Sequence, residues 1–128
     1  MSKVKRKLTT ILATDCVGFS KRMDENEELT LENLKACRSI IDPQIKEFGG
    51  RIFYTAGDSV IAEFESPVEC VNAAIGFQKA INDRNNTIPK ESRLDWRVGI
   101  HLDDVIIEGD NVYGNGVNIA ARLETACA

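Results

Sequence analysis

The stretch RIFYTAGDSVIAEF, residues 51–64, predicts two short strands that are joined by a tight turn. Both halves consist mainly of β-branched, aromatic and other apolar residues, and Gly57-Asp58 separates them. An apolar run that is broken by a Gly-Asp pair is a typical β-hairpin signal. We therefore place one strand at RIFYTA and the next at SVIAEF.

The segments before the hairpin predict a strand followed by a helix. KLTTILAT, Lys7 to Thr14, is β-branched and apolar and ends just before Asp15. Met23 to about Phe48 has apolar residues at helical spacing. Pro43 lies inside this helix and is expected to kink or split it, and the glycines of FGG are expected to end it.

The segments after the hairpin predict a second helix, more strands and a last helix. Ser66 suits the N-cap of a helix and Pro67 its first position. RLDWRVGIHL, residues 93–102, predicts a fourth strand, DVIIEG a fifth, and DNVYGNG a turn. A final helix is predicted from about Asn115.

This β-α-β-β-α-β order, with an added strand and a C-terminal helix, predicts a ferredoxin-like fold of the α/β (α+β) class. The 128 residues suit a single domain, 1–128. A right-handed crossover would make the first two strands parallel, so that Asp15 and Asp58 should converge at one edge of the sheet. Two converging carboxylates repel unless a positive charge lies between them, and a divalent cation is the expected one.

Composition excludes several classes of protein. The net charge of −4 and the pI of about 5.0 argue against a nucleic-acid-binding protein. No stretch could span a membrane and no signal-peptide pattern occurs, so we expect a soluble, cytoplasmic protein. The 4 cysteines lack CxxC spacing, and His101 has no ligand cluster around it, so neither a zinc site nor a disulfide framework is predicted.

A third motif is YGNGVNIAARLE, residues 113–124, in which Asn118 and Arg122 are four residues apart and share a helix face. An Arg and an amide near a Gly-rich helix start suit a phosphate, although a solvated helix face is the usual place for both residues. DCVGF and GD, each taken alone, are also ordinary turn sequences.

Four segments occur together and in order: LATDCVGFS, GGRIFYTAGDSVIAEF, WRVGIHLDDVI and YGNGVNIAARLE. In this combination the chain resembles the class III adenylyl/guanylyl cyclase catalytic domain, from about Lys7 to Thr125. The resemblance implies a head-to-tail homodimer with shared active sites. It also implies conversion of a purine nucleoside triphosphate, with ATP as the first expectation, to a 3′,5′-cyclic nucleotide and pyrophosphate.

The resemblance also implies roles for individual residues near the end of the first strand. Asp15 and Asp58 would hold two Mg²⁺ or Mn²⁺ ions, with the backbone carbonyl of Cys16 as a further ligand. Gly18 and Phe19 would offer backbone N–H groups to the phosphates.

Four more residues take their roles from the resemblance. Asn118 would position the ribose, and Arg122 would stabilise charge on the α-phosphate. Tyr54 and Asn111 stand where adenylyl cyclases commonly carry Lys and Asp and guanylyl cyclases Glu and Cys to read the base. Because they match neither pair, the sequence does not choose between ATP and GTP. Domains of the family continue past the equivalent of Ala128 with further strands, so we expect only part of the domain here.

Three alternatives remain open at this stage. One is a non-catalytic nucleotide-binding or dimerisation module of the same fold. Another is a diguanylate cyclase, but that family carries a GG[DE]EF signature in its central hairpin, where this chain has TAGDSV. The third is a generic ferredoxin-like binding domain with unrelated partners.

Overall fold

A computed structural model of the chain describes the backbone of residues 5–108 and 111–113. The described elements follow one another in the order β1 (Lys5–Cys16), α1 (Phe19–Glu25), α2 (Glu27–Glu47), β2 (Arg51–Ala56), β3 (Ser59–Phe64), α3 (Pro67–Asn85), a short 3₁₀ turn (Lys90–Ser92), β4 (Trp96–Glu108) and β5 (Asn111–Tyr113). The helix predicted from Asn115, with Asn118 and Arg122 on it, lies outside the described residues.

The strands form one sheet in the order β2-β3-β1-β4-β5, and each neighbouring pair is antiparallel. The first four strands therefore have the arrangement of a ferredoxin-like βαββαβ unit, which confirms the predicted fold. Since β1 and β2 both run antiparallel to β3, they run in the same direction as each other. The predicted parallel relation of these two strands is thus confirmed.

The two faces of the sheet have different surroundings. The helix face is the one on which α2 and α3 pack, and its core includes Leu12, Cys16, Val60, Ala62, Phe64, Ile41, Ile45, Phe77, Ile81 and Trp96. Because strand side chains alternate, the residues between these core positions belong to the other face, which we call the opposite face. Ile11, Ala13 and Ile61 are buried but lie outside the helix-face core. Asp15, two residues after Ala13, therefore also lies on the opposite face.

The prediction of a single helix from Met23 to Phe48 is wrong, because the structure has two helices, α1 and α2, that are separated by Asn26. Asn26 is extended, and its side chain accepts a hydrogen bond from the backbone N–H of Leu29 at 3.1 Å. This is the geometry of an N-cap, which begins α2 and ends α1. The expected break at Pro43 does not occur, since α2 continues through it. Buried Ile41 and Ile45 lie on either side of Pro43, and their packing holds the helix together despite the missing N–H.

The ends of the helices otherwise follow the sequence signals. Gly49 has a φ of 81°, and its N–H and that of Gly50 donate to the carbonyls of Lys46 and Ile45 at 3.1 and 2.8 Å. These two bonds form a Schellman motif, as FGG predicted. The hydroxyl of Ser66 accepts the N–H of Glu69 at 3.2 Å and caps α3, as also predicted.

The predicted fourth and fifth strands are one strand. β4 pairs with β1 without interruption from the Cys16–Trp96 pair to the Lys5–Ile107 pair, so the backbone of the two aspartates at 103–104 stays in the ladder. The added strand is instead β5, Asn111–Tyr113, in the segment that was predicted as a turn. Long pairing with β1 outweighs the low strand propensity of two consecutive aspartates.

The described part of the chain contains the three α-helices α1, α2 and α3. None of its helices is both long enough and apolar enough to cross a bilayer.

Candidate active site

The turn of the β2–β3 hairpin lies against the end of β1. Thr14 pairs with Val60, so the Gly57-Asp58 turn falls beside the last residues of β1. The backbone N–H of Cys16 donates to Oδ2 of Asp58 at 2.8 Å. Because Asp15 directly precedes Cys16, this contact brings Asp15 and Asp58 to the same edge of the sheet, as the strand directions predicted.

The glycine of this turn is required by its backbone. Gly57 has a φ of 58°, whereas no described non-glycine residue has a positive φ. A positive φ at the first of two central residues is the pattern of a type II′ hairpin turn. The conformation of the turn therefore holds Asp58 close to Cys16.

Arg97 is a functional candidate that the sequence analysis missed. Its Nε and Nη2 atoms donate to the two oxygens of Asp15, each at 2.8 Å. The side chains of Arg97 and Asp15 are only 22% and 13% exposed, so this is a partly buried, bidentate ion pair. The signal was present in the topology: β4 is the antiparallel neighbour of β1 in the predicted fold, so the start of β4 faces the end of β1. The observed register pairs Asp15 with Arg97 directly.

The start of β4 is held in place by two further side chains. The hydroxyl of Thr14 donates to the carbonyl of Arg97 at 2.7 Å. From α3, Nε2 of Gln78 donates to the carbonyl of Trp96 at 2.8 Å. Because both partners are backbone carbonyls, these bonds fix the strand itself and so fix where the guanidinium of Arg97 meets Asp15.

The surroundings of Asp58 disfavour the ionised form of its carboxyl group. Burial raises the pKa of the Asp58 carboxyl, and the nearby charge of Asp15 raises it further. The hydrogen bond from Cys16 and the charge of Arg97 act in the other direction without cancelling the rise. The ionised form of Asp58 is therefore held at a cost, which a bound cation would reduce.

The thiol of Cys16 is not available as a metal ligand. Burial raises its pKa to about 12, and the charge of Asp58 adds to the rise. The side chain of Cys16 also lies in the helix-face core, whereas Asp15 lies on the opposite face, so the backbone carbonyl is the group of Cys16 that could serve beside Asp15. The donors at this edge are then all oxygens, which suits Mg²⁺ or Mn²⁺.

The number of protein ligands is small. No group of three or more His, Cys, Asp and Glu side chains among the described residues could hold a metal ion. Two carboxylates are nevertheless the usual protein share of a Mg²⁺ site whose remaining ligands are substrate phosphates and water. The residues Asp15 and Asp58 therefore fit a cation that arrives together with a phosphate-bearing ligand.

The turn after β1 has a conformation that only glycine adopts readily. Gly18 has a φ of 64°, and a Cβ atom placed there would meet nothing within 4 Å. Phe19 follows as the first residue of α1 and packs its half-buried ring on the helix-face core. The backbone at Gly18 is consequently open to a ligand, and the N–H of Phe19 has no intrahelical acceptor because of its position.

A cleft of about 540 Å³, lined in part by Val17 and Gly18 of this turn, opens between α1 and the 3₁₀ turn. Neither Asp15 nor Asp58 lines it. Its charged lining residues are balanced in sign, so it provides no net positive field for a triphosphate. These residues are Lys21, Arg22, Glu25, Lys90, Glu91 and Asp95. The edge that carries the two aspartates is therefore the better candidate site.

The two residues predicted to read the base lie on different strands. Tyr54 is on β2 and is 52% exposed. Asn111 begins β5, where its backbone pairs with Glu108. Asn118 and Arg122 lie outside the described residues, so the structure does not test their predicted roles.

Comparison with known proteins identifies the family. Residues 2–128 match the model of the adenylate and guanylate cyclase catalytic domain. A Rhizobium meliloti (strain 1021) protein named "Putative adenylate cyclase 3" is 37% identical over 122 residues, which cover 94% of this chain but only 21% of that protein. The chain therefore spans about a fifth of the length of this curated relative.

Solved structures agree with this family. An adenylate/guanylate cyclase/hydrolase from Silicibacter pomeroyi has a TM-score of 0.88 and 36% identity over 96% of this chain and 72% of that one. The adenylyl cyclase CyaB from P. aeruginosa has a TM-score of 0.83 and 26% identity over 98% of this chain and 75% of that one. The chain belongs to the adenylate and guanylate cyclase catalytic domain family.

Proposed function

We propose that residues 1–128 form a single catalytic domain, or part of one, that cyclises a purine nucleoside triphosphate, with ATP as the first substrate to test. The observation that carries this proposal is the meeting of Asp15 and Asp58 at one edge, next to an open glycine turn. The family membership supports the same reaction class, and "adenylate cyclase" is the name that its relative carries.

The reaction is an attack of the ribose 3′-oxygen on the α-phosphorus. A new P–O bond closes the ring, the bond between the α- and β-phosphates breaks, pyrophosphate leaves and the hydroxyl proton passes to water. Two Mg²⁺ or Mn²⁺ ions, when bound, would lower the pKa of the hydroxyl and neutralise the leaving pyrophosphate. Asp15, Asp58 and the carbonyl of Cys16 would hold these ions.

The other proposed roles belong to the substrate. The N–H groups of Gly18 and Phe19 would contact phosphate oxygens, since the turn leaves room for close approach. Asn118 would orient the ribose, and Arg122 would stabilise the charge that develops on the α-phosphate. Tyr54 and Asn111 would meet the base. In a homodimer with two-fold symmetry, each site would combine residues of both chains.

The test is to incubate the full-length protein with ATP or GTP and Mn²⁺ and to identify the product by chromatography and mass spectrometry. We expect a 3′,5′-cyclic nucleotide from the wild type and none from Asp15→Asn, which keeps the shape and removes the charge. Asp42→Asn is the matched control, because Asp42 pairs with Arg38 on α2, away from the site.

Two results would contradict the proposal. Turnover by Asp15→Asn equal to that of the wild type would exclude the metal assignment. A folded wild type that binds nucleotide with Mn²⁺ but forms no cyclic product would favour the alternative of a non-catalytic nucleotide-binding module.

A further inference from the structure

The pairing of β2 with β3 contains an irregularity close to the candidate site. Arg51 pairs with Glu63 and Ile52 with Ala62, but the next residue to pair is Tyr54, with Ile61. Phe53 is thus an extra residue in the ladder, which defines a β-bulge. Bulges often lie next to active sites, where they change the direction of a side chain.

The bulge places two aromatic residues on the same face. Ile52 packs on the helix-face core, so Phe53, the next residue, lies on the opposite face by alternation. Without the bulge Tyr54 would return to the helix face. It instead pairs with Ile61, which is on the opposite face, between the core residues Val60 and Ala62. Phe53 and Tyr54 therefore both belong to the opposite face.

Burial supports this placement of the two rings. Phe53 is half-buried but is absent from the helix-face core and from the partly buried residues that pack against it. Tyr54 is 52% exposed, whereas Ile11 and Ala13 on the same face are fully buried. Among the opposite-face residues whose burial the structure describes, Tyr54 is the one large apolar side chain that is exposed. The exposed apolar surface of this face therefore lies at the β2 edge.

Asp15 and Arg97 lie on this same face. A nucleotide that occupies the face, whether its phosphates are bound by this chain or by a symmetry-related copy, can therefore bring its base against β2. Every base has a flat π surface, and aromatic side chains stack on it without regard to its hydrogen-bonding groups.

We propose that Phe53 and Tyr54 at the bulge form a platform that stacks against the purine base of the bound nucleotide, an inference that rests on the proposed function. Phe53 would contribute binding affinity for either purine. Tyr54 has a hydroxyl that can distinguish the bases by hydrogen bonding. Phe53 has none, so it strengthens the binding of adenine and guanine nucleotides equally.

The experiment measures binding rather than turnover. Full-length protein with Mn²⁺ is titrated calorimetrically with 3′-deoxy-ATP and 3′-deoxy-GTP, which lack the attacking hydroxyl, and with tripolyphosphate, which lacks a base. Phe53→Leu keeps apolar bulk and removes the ring. We expect it to weaken both nucleotides by about tenfold and by the same factor, and to leave tripolyphosphate binding unchanged. Ile75→Ala, at an exposed apolar residue of α3, is the matched control and should change none of the three.

A spectroscopic signal distinguishes stacking from a structural role. The fluorescence of a 3′-deoxy 2-aminopurine ribonucleoside triphosphate should be quenched on binding to the wild type and to Phe53→Tyr, which retains both rings, and less on saturating binding to Phe53→Leu, which retains only the ring of Tyr54. Unchanged nucleotide affinity in a folded Phe53→Leu variant would overturn the platform alone. Loss of tripolyphosphate affinity together with nucleotide affinity would show a structural effect and would also overturn it. If the wild type bound neither tripolyphosphate nor nucleotide, the proposed function itself would fail, and the platform with it.

Discussion

Replacing Arg97 tests the charge arrangement of the candidate site. Arg97→Gln keeps most of the side-chain stem but removes the charge and the bidentate contact with Asp15. Exposed ion pairs contribute about 0–1 kcal/mol, and removing one partner of a buried pair costs about 3–5 kcal/mol. With exposures of 22% and 13%, the pair lies between these limits. We therefore expect the free energy of unfolding in metal-free buffer to fall by about 2 kcal/mol.

Arg38→Gln is a control with nearly the same contact geometry. Arg38 also makes a bidentate pair, with Asp42 at 2.8 and 2.9 Å, but both partners lie on α2 and are 25% and 39% exposed. No second carboxylate faces that pair in the described contacts. We expect Arg38→Gln to cost about 0.5 kcal/mol. Urea unfolding, followed by the fluorescence of Trp96, the sole tryptophan of the sequence, measures both variants.

Manganese then separates charge neutralisation from simple loss of packing. A ligand at ten times its dissociation constant stabilises the folded state by about 1.4 kcal/mol. In Arg97→Gln the carboxylate of Asp15 no longer has its guanidinium, so Mn²⁺ should restore about 1 kcal/mol more stability than it adds to the wild type. The reasoning is refuted if Arg97→Gln loses no more stability than Arg38→Gln, or if Mn²⁺ stabilises wild type and variant equally.

Two more predictions concern the same site. The side chain of Asp58→Asn can still accept the N–H of Cys16, but the variant lacks a carboxyl whose pKa is raised above 3.8 by burial. Because the folded wild type holds this proton more tightly than the unfolded chain does, its free energy of unfolding should fall relative to that of the variant as the pH rises from 3.8 through the raised pKa. Thermal unfolding across this range should show a more stable but inactive variant at neutral pH, and equal midpoints there would contradict the expected cost of ionisation. Mixing Asp15→Asn with Arg122→Ala chains should restore activity to as much as about a quarter of wild type, because half of the random dimers are mixed and each has one intact site. Mixed dimers that form but stay as inactive as either parent would exclude a shared site.

The sequence was sufficient for the parts of the fold that depend on local signals and strand order. Gly57 and Gly49 occupy backbone positions that favour glycine, and Ser66 caps a helix, so each could be read from its own segment. The convergence of Asp15 with Asp58 followed from the direction of two strands.

The errors arose where tertiary contacts outweigh local signals. Pro43 suggested a break, but burial of its neighbours keeps α2 continuous, and the real break is an Asn26 cap that a continuous helical pattern concealed. The two aspartates at 103–104 suggested a strand boundary, which pairing with β1 overrides. The bulge at Phe53 is a matter of register between strands, and no pattern within β2 alone reveals it.

The charges at the edge of the sheet explain why the fold keeps a site that does not maximise its own stability. Asp15, Asp58 and Arg97 together carry one net negative charge, and burial penalises the ionised form of Asp58. Removing the Asp58 carboxylate should stabilise the metal-free protein, whereas removing the Arg97 guanidinium should destabilise it, so charge rather than packing decides both outcomes. A divalent cation at this edge would offset the same repulsion that Arg97 offsets only at Asp15. Cation binding would thereby recover the stability that the ionised Asp58 costs the metal-free protein, and the same carboxylate would contribute affinity for the metal.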